Sequence, residues 1–283
     1  MKSSLLILAF SVVCSSIFGQ NNTFSHQTKN GNQVITLAEG QGRMPHTVLI
    51  DVTPEILAET MPDSIYQSAT NVYLVRTTTG KNVLIDAGLG RRLLSNLQEY
   101  DITSDMIDKI LITHTHFDHI GGLLDSNGAK IFSNAYLYIA KNEYAFFTDA
   151  SSTVNERARE IATATVNAYR SKLVLFDADQ GVIADIIQPL PNFGHTPGHT
   201  VYVVDNDILI WGDMVHAMGV QMPYPTVSAT FDIDNKKAVE ARLEMLNYIV
   251  NHSLFVGGMH IPYPGMGTLT SNGKRGYIFT PIE

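Results

Sequence analysis

The chain has 283 residues, 45% hydrophobic and 16% charged, a composition that excludes the disordered and fibrous classes and suits one large α/β domain. Its formal charge of −8, a pI near 5.6 and the lack of any Lys/Arg run argue against nucleic acid as a partner.

Residues 1–20 read as a secretory signal peptide: Lys2, a short apolar core in LLILAFSVV, then small and polar residues up to Gly19 and Gln20. The run is short for a membrane span, and no other segment is apolar enough for one. The expected organisation is a signal at 1–20, a single domain over 21–283, and a secreted or periplasmic protein. Cys14 is the only cysteine, so the mature chain has neither disulfides nor thiolate ligands.

Residues 21–32 are polar and read as frayed. QVITLAEG reads as a first strand, and HTVLIDVTPEILAE as a strand followed by a short helix. NVYLVRTTTGKNVLIDAGLG alternates as a hairpin, and RRLLSNLQEY reads as a short amphipathic helix. Thr103 or Ser104 is placed to cap a helical turn before the strand KILIT. AYLYIA, KLVLF and VIADIIQPL read as strands, and KNEYAFF as a helical turn. Val154, Ala158, Ile161, Thr165 and Tyr169 mark one helical face. TVYVVDNDILIWGD is a second hairpin. Asp234 caps a helix from Asn235 to about Val250 with Val239, Leu243, Leu246 and Val250 as its apolar stripe, and LFVGGMH is a last buried strand. Hairpins in both halves, with helices between, predict two sheets packed face to face and helices outside.

Directly after KILIT stand His114, His116, Asp118 and His119, followed by Gly121-Gly122. Imidazole and carboxylate are the ligands that suit zinc and its neighbours. His114 and His116, two apart in an extended segment, point to the same side. Asp118 and His119 follow as the chain turns, so one loop can feed two adjacent metal positions. Further candidates stand at strand-to-loop junctions in the second half: the histidines of FGHTPGHT, Asp213 after LIWG, and His260 after GGM.

Taken together, these motifs resemble the metallo-β-lactamase superfamily over nearly all of the mature chain. Its His-x-His-x-Asp-His signature stands as His114-Thr115-His116-Phe117-Asp118-His119, and its second motif as Gly194-His195-Thr196-Pro197-Gly198-His199. The resemblance implies a four-layer αβ/βα sandwich with two divalent metal ions, usually Zn²⁺, at one edge of the sheets. It implies that His114, His116 and His199 hold one ion, that Asp118, His119 and His260 hold the other, and that Asp213 bridges them. Asp86 of LIDAG would be a buried support, and His195 a loop histidine outside the ligand set. Asp118 would also orient the nucleophile or carry its proton.

A bridging Asp213 and a cysteine-free mature chain separate the sequence from true β-lactamases. The stretches after Asp213 and His260 are similar to the branch of secreted N-acyl homoserine lactonases (quorum-quenching enzymes) and methyl parathion hydrolase; a glyoxalase II would need a basic site for glutathione. The implied activity is lactone opening on a small molecule with an apolar chain, a homodimer being left open. The alternatives are a phosphotriesterase and, in another class, a mononuclear-iron oxidoreductase of sulfur compounds. Phe117, Tyr144, Phe146, Phe147, Met218, Met222, Tyr224 and Met266 are expected to flank an acyl chain. His216, three residues past Asp213, is expected to assist ring opening.

Overall fold

Period-two alternation in the strands decides the layering. The computed structural model describes residues 22–184, 186–274 and 276–283, and the export segment expected at 1–20 lies outside them. Among these residues, a seven-stranded sheet runs in the order β1 (Thr23–Gln27), β2 (Gln33–Pro45), β4 (Ile65–Arg76), β5 (Asn82–Ile85), β6 (Lys109–Leu111), β7 (Tyr136–Ala140), β8 (Leu173–Phe176). A six-stranded sheet runs β15 (Tyr277–Pro281), β14 (Met266–Ser271), β13 (Phe255–Gly257), β11 (Ile208–Ile210), β10 (Thr200–Val204), β9 (Ile187–Pro191). A small ribbon pairs β3 (Leu49–Ile50) with β12 (Ser228–Ala229). The connections β5–β6, β6–β7, β7–β8 and β11–β13 are parallel.

Successive strand residues face opposite layers. Val34, Tyr73, Val83 and Leu111 meet Tyr202, Ile208, Ile210 and Met266 between the two sheets. Their neighbours Ile35, Leu74, Leu84 and Ile110 pack outward on α2 (Leu93–Gln98), α4 (Lys141–Thr148) and α5 (Glu156–Ala168). On the other side Val201, Val203, Leu209 and Val256 pack on α7 (Asn235–His252). The result is the α/β four-layer sandwich, two sheets face to face with helices outside. A fourth, smaller core gathers around α1 (Pro54–Thr60) and α6 (Met218–Gln221). No helix among the described residues is long and apolar enough to cross a membrane.

The sequence reading needs four corrections here. Residues 23–27 are not frayed but pair with β2, because their backbone closes the free edge of that strand. Ser104–Met106 form only a 3₁₀ turn without a side-chain cap. Strands β14 and β15 complete the second sheet in a stretch for which no element was expected. Finally, α7 buries Ala238, Arg242, Met245, Leu246 and Ile249, a stripe rotated by about one residue from the expected one. Arg242 causes the rotation. Its guanidinium lies inside the fold, donating to the carbonyls of Met214 (2.7 Å), Pro225 (3.0 Å) and Val227 (2.8 Å).

Candidate metal centre

The first half delivers its ligand candidates on one loop. Past β6, the backbone N–H of Thr113 donates to Asp86 Oδ1 and its hydroxyl to Asp86 Oδ2, both at 2.7 Å. Asp86 sits fully buried with φ near +63°, which turns its carboxylate under the loop. It also takes the Nδ1–H of His119 at 2.6 Å, leaving Nε2 of that ring facing inward. The glycine pair permits the approach: a Cβ on Gly122 would lie 2.2 Å from the carbonyl oxygen of Ala87. His116 stands just before α3 (Phe117–Ile120), and Asp118 and His119 lie in that helical turn. His114 Nε2 and His116 Nδ1 are 2.9 Å apart, on the same side.

In the second half, the structure exchanges the two histidines of GHTPGH. His195, not His199, joins the first set: its Nε2 lies 3.1 Å from both His114 Nε2 and His116 Nδ1. Its Nδ1–H donates to Asp232 Oδ1 at 2.9 Å. His199, at the threshold of β10, points into the interior. Its Nδ1–H donates to the carbonyl of Asn192 (3.1 Å), and its Nε2 accepts the backbone N–H of Asp213 (3.0 Å). Both ring nitrogens are thus in use, and His199 instead fixes the residue beside which it was expected to bind metal. Both histidines flank one Thr-Pro-Gly turn, and spacing alone does not say which faces the cleft.

Two groups of possible ligand atoms result. His114, His116, His195 and Asp213 form one; Asp118, His119, Asp213 and His260 form the other, and in each the ligand atoms lie within 4.8 Å of one another. Asp213 belongs to both, with Oδ1 3.0 Å from His119 Nε2 and 3.1 Å from His260 Nε2, and Oδ2 3.5 Å from His195 Nε2 and 3.7 Å from His114 Nε2. His260 donates its Nδ1–H to the carbonyl of Ala69 at 2.8 Å. Asp118 Oδ2 lies 3.7 Å from His119 Nε2 and 3.6 Å from His260 Nε2.

The donor set fits metal ions. Imidazole nitrogens about 3.3 Å apart are what tetrahedral zinc–nitrogen bonds require, and the triangle of His114, His116 and His195 has edges of 2.9, 3.1 and 3.1 Å. The outer nitrogens of His119, His195 and His260 are tied to Asp86, Asp232 and a carbonyl, so their inner nitrogens converge. His119 Nε2 and Asp213 Oδ1 are buried without a hydrogen-bond partner, although 3.0 Å apart. Charge separates the two groups. Burial, reinforced by neighbouring histidines, pulls His116 down to about 3 and His114 well below its ordinary range, so these rings are neutral ligands in waiting. Burial also opposes protonation of His119 and His260, but Asp213 and its neighbouring carboxylates outweigh it and raise His260 to about 9. The carboxylates that attract a proton there would equally attract a cation.

His216 is buried, with its Nε2 3.3 Å from Asp213 Oδ2 and its ring stacked on His260 at 5.3 Å. Gln221 Oε1 accepts the backbone N–H groups of His216 and Ala217 (2.8 and 2.9 Å) and fixes that segment. The Nδ1 of His216 has no hydrogen-bond partner among the described residues, and its Nε2 faces only Asp213. Above the two groups opens a cavity of about 740 Å³, lined in part by His116, Asp118, Asp213, His216 and His260. Of the eight residues expected to flank an acyl chain, only Phe117 borders it. The other seven pack in the hydrophobic cores, because closeness in sequence to the ligands does not say which face a side chain takes. The apolar wall consists instead of Met44, Tyr66, Leu89, Ile161, Phe231 and Ile233.

Sequence reasoning also missed Asp232, which holds His195, and Glu143, buried on α4. Glu143 accepts from Thr115 N–H (2.8 Å), Thr196 Oγ1 (2.6 Å) and Gly198 N–H (3.1 Å), joining the two histidine loops. Lone acids on helices and turns carry no signal until the fold brings their partners.

Comparison with known proteins agrees with this geometry. The metallo-beta-lactamase superfamily profile matches residues 65–250. The hydroxyacylglutathione hydrolase of Vibrio campbellii is 31% identical over 150 residues, 52% of this chain and 48% of that enzyme. The anti-Pycsar protein Apyc1 of Bacillus phage BSP38 is 53% identical over 53 residues, 19% of this chain and 20% of that protein. The chain therefore spans half or less of these curated relatives. Among solved structures, hydrolase AbOPH of the beta lactamase superfamily superposes with a TM-score of 0.84 at 25% identity, covering 93% of this chain and 98% of that one. AidC, a dizinc quorum-quenching lactonase, superposes with a TM-score of 0.79 at 25% identity, covering 93% and 99%. With its fold, its paired His/Asp groups and this match across two thirds of its length, the chain belongs to the metallo-β-lactamase superfamily.

Proposed function

We propose that the chain is a metal-dependent hydrolase that opens lactones, N-acyl homoserine lactones first among them, and that residues 21–283 form the exported mature domain. The observation that carries the reading is His216: a buried imidazole whose Nδ1 has no partner among the described residues and whose Nε2 lies 3.3 Å from Asp213 Oδ2, at the base of an apolar-walled cavity. The likeness to AidC supports it. The ions would be held by His114, His116, His195 and Asp213 on one side and by Asp118, His119, Asp213 and His260 on the other. When bound, two divalent ions, Zn²⁺ by preference, supply a water activated near neutral pH and draw charge from the carbonyl oxygen.

The chain's own groups carry the remaining steps. Asp118, whose side chain is 34% exposed to the cavity, takes the proton of the attacking water at Oδ2 and returns it to the leaving oxygen. His216 donates an N–H to the lactone oxygen as charge builds on it. Tyr66, Met44, Phe231 and Ile233 exclude water from the acyl chain. A fused apolar wall and proton donor suit a lactone better than a phosphotriester with a good leaving group, which needs no proton on departure.

The test is acid release from N-hexanoyl-homoserine lactone by metal-loaded protein, alongside a nitrophenyl phosphotriester. His216→Phe should lower lactone kcat by roughly 10²-fold with both metals retained, and affect the phosphotriester less. Full lactone kcat in that variant removes His216 from the mechanism, and no lactone opening by the metal-loaded wild type removes the lactonase reading. N-terminal sequencing of exported material should begin near residue 20; an intact Met1 on cytoplasmic protein sinks the export proposal.

A further inference from the structure

The mouth of the cavity gathers three arginines in a chain that is acidic overall. The chain has 27 acidic and 19 basic residues. The cavity lining nevertheless contains Arg43, Arg91 and Arg157, while its acids are Glu39, Asp118 and Asp213. All three acids are committed. Asp118 and Asp213 belong to the ligand groups. Glu39 is buried and accepts the backbone N–H groups of Leu89, Gly90, Arg92 and Leu93.

Glu39 also explains why the arginines are where they are. The β2–β4 pairing shifts register between Ala38 and Gly40, and such a bulge re-aims a side chain. The re-aimed carboxylate gathers the N–H groups of the 89–93 loop, which fixes Arg91 between two anchored neighbours. Arg43 stands four residues further along the same strand, and Arg157 in the first turn of α5. Among the described residues Arg157 pairs only with the exposed Glu160 at 3.1 Å, with side chains 77% and 58% exposed, a pair water readily loosens. Neither Arg43 nor Arg91 has an acidic partner among the described residues. Guanidinium groups pair bidentately with carboxylates and phosphates.

We infer that this mouth is a subsite for an oxyanion, so that the preferred substrate carries a carboxylate or phosphate at the end remote from the bond that is broken. This rests on the reading of the cavity as the substrate site, and narrows it from any apolar lactone to one with an anionic tail.

The test compares N-hexanoyl-homoserine lactone with its N-(5-carboxypentanoyl) counterpart, equal in head and nearly equal in length. A phosphonate-ended tail and S-lactoylglutathione, an anionic thioester, run beside them. The carboxylated lactone should show a KM about five- to tenfold lower at low ionic strength. That ratio should fall towards one in 0.5 M salt and in the double variant Arg43→Gln/Arg91→Gln, and the phosphonate tells which oxyanion the mouth prefers. A ratio near one in the wild type, unchanged by the variant, overturns the inference while leaving the lactonase reading intact. Hydrolysis of S-lactoylglutathione alone, with a KM that rises in the variant, upholds the anionic subsite and overturns the lactonase reading. If nothing is turned over, calorimetric binding of the matched pair of inert lactams decides the subsite by the same ratio.

Discussion

At the scale of single residues, the exchange of His195 and His199 separates binding a metal from supporting it. His195→Ala should lose about one metal equivalent by elemental analysis with little change in Tm. His199→Ala leaves the Asp213 N–H and the Asn192 carbonyl unpaired inside the fold, which should cost about 1–3 kcal/mol in chemical denaturation. Equal metal loss and equal destabilisation in the two variants would refute the distinction. That these imidazoles and carboxylates gather at one place was largely legible in the sequence, because such groups at strand ends have few other uses. What was not legible was orientation: whether a ring faces the cleft depends on Asn192 and Asp232, and no spacing rule connects those to it. The acyl wall failed for the same reason, since Phe147 and Met266 differ from Phe231 and Ile233 only in the face they take.

At the scale of elements, α7 shows how one residue can misdirect a periodic reading. Arg at position 242 breaks an apolar stripe on paper, yet in the fold it is the residue that anchors the helix to the loop following Asp213. Its Nη2 also lies 3.9 Å from Asp232 Oδ2. Arg242→Met keeps the bulk but leaves the carbonyls of Met214 and Pro225 unpaired and removes the buried cation beside Asp232, so a loss of about 3–5 kcal/mol is expected in urea melts. An unchanged midpoint would contradict the anchoring role. The strands themselves were largely readable because alternation records burial directly; β14 was not, Gly, Thr and Ser diluting its pattern, nor was β15, which buries only Tyr277.

A second element-scale tie joins the two sheets at the end of the β10–β11 turn. Asp205 accepts from Asn30 (2.7 Å) and Asn32 (2.9 Å) in the β1–β2 turn, and from Thr28. Its slight burial pushes its pKa up, but these hydrogen bonds outweigh that and hold it below the ordinary carboxylate value. A depressed folded-state pKa contributes stability above the unfolded value of about 3.9 and loses it as pH falls through the folded value. Asp205→Asn should therefore lower Tm at pH 7 and cease to matter near pH 2–3; a Tm difference that is constant with pH excludes the ionic part of this tie.

At the scale of the whole molecule, the two sheets share one hydrophobic layer and one set of ligands. Ions held across that seam favour the folded state by mass action, by about 2.7 kcal/mol at a hundredfold excess over Kd. Chelation should lower Tm by several degrees, with recovery on adding Zn²⁺; an indifferent Tm means that no ion bridges the sheets.

The ligands also come in a fixed order along the chain. His114, His116, Asp118 and His119 are synthesised first, then His195 and Asp213, and His260 last. A growing chain can close the first group once it has passed Asp213, but the second only after residue 260, with β14 and β15 still to dock. A polypeptide stalled or clipped between residues 213 and 260 would therefore hold one ion and surrender the other to any competing chelator. Sequence order would thus double as a loading order, the second equivalent of metal marking a chain that has passed residue 260.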